Sequence, residues 1–143
     1  MTTQLVEKAE VLEQQLEDSG MGFDLPSAIV FAINEDDDRV SVTEVGASHD
    51  LYGMLESEDI CRIARVSDYM ALVSCGWAAP LDDETSPKQH AERRRVRLMV
   101  FANRDGMASV VRFQDDEEVV IDEGSAYGGL ADAIREMYAW QED

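Results

Sequence analysis

Apolar residues recur along this chain with two different periods, and the switches between them outline its elements. Near the N-terminus Leu5, Ala9, Leu12 and Leu16 fall at i, i+4, i+7 and i+11, the spacing of one helix face. A helix over 3–17 follows, capped by Thr2 or Thr3 and stopped by "DSGMG", where glycine supplies the left-handed conformation that ends helices. Glu7, Glu10, Glu13, Gln14 and Glu17 take most of its remaining surface. From 28 to 33 the apolar run is unbroken, as in a central strand, and Val40, Val42 and Val45 mark a second, more exposed strand. These two form a hairpin with Glu35, Asp36, Asp37 and Asp38 at its tip.

Further along, "SHDLYGML" and "SEDICRIARVSD" predict two short helical pieces, the second capped by Ser57 or Asp59. "YMALVSCGWAAPL" reads as a strand, and "DDETSPKQHAE" as a polar loop. The alternation is clearest over 93–102. Val96, Leu98, Val100 and Ala102 face one way, and Arg95, Arg97, Met99 and Phe101 the other. "NRDG" is an Asp-Gly turn leading into "MASVVRFQ", and "EVVID" is a candidate for a further short edge strand outside the expected count. A last helix, about 126–140, places Leu130, Ile134, Met137 and Trp140 on its inner face with Ser125 as cap. The expected order is α-β-β-α-α-β-β-β-α. This is a single α+β domain over 1–143, an antiparallel sheet of about five strands flanked by N-terminal and C-terminal helices. The block from the hairpin onward is similar in order to PAS, GAF and profilin-like folds, an analogy of shape that carries no function.

Charge changes this picture more than any motif. The 143 residues hold 31 acids against 12 bases, a formal net charge of −19. Residues 1–60 hold 15 acids and 2 bases, residues 61–112 hold 6 and 9, and residues 113–143 hold 10 and 1. Such a field repels nucleic acid and anionic membranes and attracts basic protein surfaces. No apolar run is long enough to span a bilayer. The start of the chain lacks the basic and apolar segments of a secretion signal, which points to the cytoplasm. Cys61 and Cys75 have no C-x-x-C spacing and read as buried thiols.

The chemical motifs fail on inspection. His90-Ala91-Glu92 matches the tripeptide of zinc deaminases, but no cysteine follows Cys75, so the downstream ligands are missing. His49 and His90 are the only imidazoles and lack metal-site spacing. The 35–38 run lacks the calcium-loop pattern. "GSAYGG" lacks both phosphate-loop orders, and the acids before it repel an anion. Cys75 beside a histidine base is simpler as core. No metal, cofactor or catalytic group is expected, and the chain is not read as an enzyme.

"GWAAP", then "HAERRRVRLMV", "NRDGMASVVRF" and "GGLADAI" resemble small, uncharacterised acidic proteins of actinobacteria and their phages, over roughly residues 66–135. That resemblance implies no activity. The function expected is a non-catalytic, acidic intracellular interaction protein that docks to a basic partner, in its sharper form a mimic of nucleic acid that inhibits a nucleic-acid-binding protein. Glu7, Glu10, Glu13 and Glu17 on the first helix, Asp36, Asp37 and Asp38 at the hairpin, and Asp115, Asp116, Glu117 and Glu118 are the candidate docking residues. Arg93, Arg95 and Arg97 form a stripe that serves either as internal counter-charge or as the contact of a homo-oligomer. The alternative is a small-ligand sensor or accessory domain of PAS/GAF-like shape, with a pocket near Met70, Trp77, Met99 and Phe101.

Overall fold

A computed structural model describes residues 4–78, 92–115, 118–123 and 129–139. The first helix, α1 (Gln4–Asp18), buries Val6, Ala9, Leu12 and Glu13. It ends in a paired C-terminal turn. The Gly20 N–H donates to the Glu17 carbonyl at 3.0 Å and the Met21 N–H to the Leu16 carbonyl at 3.3 Å. Gly20 sits at φ 89°, where a side chain would be strained and glycine is not. Met21 and Leu16 then close the turn by packing on the same core.

Six strands follow in one antiparallel sheet: β1 (Ala28–Asp36), β2 (Arg39–Ser48), β3 (Tyr69–Ala78), β4 (Arg94–Ala102), β5 (Met107–Phe113) and β6 (Val119–Glu123). Their spatial order is β2-β1-β3-β4-β5-β6. Two helices, α2 (Leu51–Glu56) and α3 (Glu58–Val66), separate β2 from β3, and α4 (Gly129–Ala139) comes last. The count is therefore six strands rather than five. The observed order, α-β-β-α-α-β-β-β-β-α, differs from the expected one because "VVIDE" pairs along β5 as a full strand. The last helix is described over Gly129–Ala139, and Ser125 and Trp140 lie outside the described residues.

Strand alternation divides the apolar residues between two cores. Val30, Ala32, Met70, Leu72, Val100 and Ala102 point to the side covered by α2, α3 and α4, where they meet Leu55, Ile60, Ala64, Ile134 and Met137. Ile33, Ala71, Val73, Met99, Phe101, Ala108 and Val110 point the other way, to Val6, Ala9 and Leu12 of α1. The helices on the first side are locked by local caps. Asp50 accepts from the Gly53 N–H at 3.0 Å and Ser57 from the Ile60 N–H at 3.3 Å, each filling an orphan donor of a helix start. Tyr138 ties α4 to the sheet by donating to the Ala102 carbonyl at 2.9 Å, and burial pushes its phenol above the ordinary range.

Candidate functional site

The side of the sheet that carries α1 holds a buried cluster of charged side chains. β4 and β5 place Arg97 directly opposite Arg112, a pairing of like charges that is unfavourable by itself. Glu13 of α1 sits between them. Arg112 grips its carboxylate with two hydrogen bonds of 2.7 and 2.8 Å, and Arg97 adds a third at 3.2 Å. Glu17, one turn on, accepts from Arg97 at 2.6 Å. Arg97 also donates to the carbonyls of Met21 and Gly22, holding the segment after α1 against the sheet. Glu13 is 3% exposed and Arg97 2%. Burial pushes the Glu13 carboxyl up, yet the hydrogen bonds and charges of Arg112 and Arg97 together outweigh it and hold the pKa below its ordinary value.

This corrects one assignment. Glu13 faces the sheet and has no carboxylate to offer a partner, and Glu17 is committed to Arg97. As a charged residue Glu13 reads with the polar side of α1, yet it lies four residues from Ala9 and next to Leu12, on the buried stripe. Arg112 was not singled out at all. Its signal was available, because it stands in β5 two residues beyond the inward-pointing Val110 and therefore on the same face.

The arginine stripe divides by role. Arg97 is internal counter-charge to Glu13 and Glu17. Arg95 donates to the carbonyls of Phe23 and Gly76 and lies 5.0 Å from the centre of the Trp77 ring, with Arg93 4.8 Å from the same ring. Trp77 is 36% exposed between them. Arg94, on the other face, holds Asp115 bidentately at 2.8 and 2.9 Å and reaches Glu118 at 3.7 Å.

The proposed pocket residues do not converge. Met70 is packed under α2–α4, Met99 and Phe101 are packed under α1, and Trp77 lies at the far end of β3. Beside Met70 the free space is about 10 Å³, room for no more than one water.

The candidate acids sort into two ends of the sheet. Asp36, Asp37 and Asp38 form the exposed β1–β2 tip, with Asp37 at φ 53° in the turn. The salt bridge from Lys8 to Glu35 brings the first half of α1, with exposed Glu7 and Glu10, to that end. Asp68, which accepts from the Glu35 N–H at 2.7 Å, and Asp105 in the β4–β5 turn stand there too. Asp115 and Glu118 lie at the opposite end, with Arg94 and Phe113. Asp116, Glu117 and His90 lie outside the described residues.

Between α1 and the β1–β2 hairpin runs a groove of about 330 Å³. Its apolar lining is Val11, Leu12, Ile33, Val40, Val42 and Phe101, and Gln4, Glu7, Lys8, Gln15 and Glu35 complete its rim. Val11, Val40 and Val42 are 58%, 62% and 39% exposed, so the groove opens to solvent.

Among the described residues no three His, Cys, Asp or Glu side chains cluster as metal ligands, and no helix is long and apolar enough to cross a membrane. Cys61 is buried, which pushes its thiol up and disfavours the thiolate. Compared with protein-family models, curated proteins and solved structures, the chain matches none.

Proposed function

We propose that the protein is a non-catalytic docking protein that binds a basic surface of a partner protein through the end formed by the β1–β2 tip and the first half of α1. The observation that supports this reading is the gathering of exposed Asp36, Asp37 and Asp38 with Glu7, Asp68 and Asp105 around one end of the sheet. A net charge of −19 extends the field of that end into solvent. Such a field speeds encounter with a cationic surface and disfavours anionic ones, and its effect weakens as salt rises.

The narrower form, mimicry of nucleic acid, is not what we propose. A phosphate-like row needs its carboxylates on one continuous face. Glu13 is buried, Glu17 is bound to Arg97, and Asp115 and Glu118 sit at the other end on Arg94.

The test is a pull-down from host lysate with the tagged protein and its D36N/D37N/D38N variant, at low and raised salt. A partner rich in Lys and Arg, recovered by the wild type, lost with salt and lost with the variant, is the expected result. Equal recovery by wild type and variant would end the reading.

A further inference from the structure

The two sides of the sheet are covered unequally. Six strands about 4.8 Å apart make a sheet roughly 24 Å wide, whereas a helix with its side chains is about 10–12 Å across. One side carries α2, α3 and α4. The other carries one helix, α1, which packs over β4, β5 and β6, and the segment after it, whose Met21 and Leu25 join the same core. Among what these leave open is the strip beside α1 over the tip half of β1 and β2, and the groove of about 330 Å³ lies there. Gln4, Lys8, Val11 and Gln15 form its wall at i, i+4, i+7 and i+11, the flank α1 would present to a second helix lying beside it.

From this layer geometry we propose that the groove receives an amphipathic helix of the partner protein, apolar on one face and basic on the rest. This inference rests on the acidic-docking reading and names the partner's element. The apolar face, with large residues at i, i+3 or i+4, and i+7, covers Val11, Val40 and Val42 and completes the layer started by α1. Basic residues on its flanks meet Glu7 on the α1 wall and, at the open end, Asp36, Asp37 and Asp38. On the rim itself Lys8 is engaged by Glu35. The charge also argues against a second copy of this chain as the occupant. Two molecules of −19 each would bring acidic rim against acidic rim.

The probe is a synthetic amphipathic peptide of about 18 residues, long enough to form a helix on binding, with leucines on one face and lysines elsewhere. A second peptide of the same composition has its leucines scattered so that no face forms. Binding of both to the full chain is followed by fluorescence anisotropy near physiological salt, and self-association by sedimentation. The amphipathic peptide should bind about tenfold tighter than the scattered one, a difference of about 1.4 kcal/mol. The V11Q/V40T/V42T variant removes apolar surface without adding charge and should abolish that tenfold preference while leaving the weak binding of the scattered peptide.

D36N/D37N/D38N should weaken both peptides. Equal binding of the two peptides, with the aspartate variant still weakening both, overturns the groove and leaves acidic docking standing. If neither peptide binds and the aspartate variant changes nothing, both readings fall. A wild-type dimer that the valine variant converts to monomer makes the occupant a second copy and overturns the proposal. Should the valine variant not fold, a photo-crosslinker at the centre of the leucine face decides in the wild type. Crosslinks to α1 and β2 support the groove, and crosslinks elsewhere overturn it.

Discussion

Among the described residues Glu13 is the one buried acid, and the consequences of changing it follow from its surroundings. Replacing one member of a buried ion pair leaves its partners charged and desolvated, which costs more than the intact pair contributes. With Glu13→Gln, Arg97 and Arg112 face each other across β4 and β5 without the carboxylate that bridges them, and Glu17 remains beside both. We expect a loss of about 3 kcal/mol of stability, measured by urea denaturation at neutral pH. Acid should act on the same carboxylate. Its folded-state pKa lies below the ordinary 4.5, so the folded chain binds this proton less readily than the unfolded chain does. The contribution is complete above about pH 4.5 and is lost as pH falls through the folded value. Denaturation curves recorded from neutral pH to pH 3 should therefore show a steeper acid-side loss for the wild type than for Glu13→Gln.

At the scale of elements, local sequence carried most of the information. The strict alternation of Val96, Leu98, Val100 and Ala102 against Arg95, Arg97, Met99 and Phe101 places each residue on the side of the sheet where it is found, because a strand has period two and no freedom to choose otherwise. The start of α3 was equally legible, because Ser57 precedes its first turn and caps it. Ser57→Ala removes the acceptor for the Ile60 N–H and should cost about 1 kcal/mol, read as a lowered denaturation midpoint. Protection of the α3 amides should fall first in hydrogen exchange. The edge strand β6 was harder to weigh. It is five residues long and its Val119, Val120 and Ile121 remain partly exposed, so nothing in its own pattern distinguishes a paired strand from an extended loop. Pairing with β5 decides it.

On the scale of the whole molecule the surplus of negative charge opposes compaction, since acids that are far apart in the unfolded chain are drawn together on folding. Screening should relieve this. Raising salt from about 0.01 M to about 1 M shortens the range of these repulsions from roughly 30 Å to roughly 3 Å, and the thermal midpoint should rise by several degrees over that interval. Binding to a basic partner should move the opposite way and weaken with salt. A protein that grows more stable while its complex grows weaker separates surface electrostatics from the buried Glu13 cluster, which salt screens far less.

Much about this protein is determined by the sequence alone. Period and turn chemistry are local properties, readable within a few residues, and they define nearly all the described strands and helices and the α+β class, while composition gives the acidic character. Which acids are available to a partner is not a local property. Glu7 and Glu13 both read as polar positions of one helix, yet one is exposed and the other is enclosed by two arginines from strands more than eighty residues away. The uncovered strip beside α1 is likewise invisible in any segment, because it arises from how many helices each side of the sheet receives. Only the tertiary structure sets those distances, since they come from packing two layers against one sheet rather than from the preferences of any single stretch of chain.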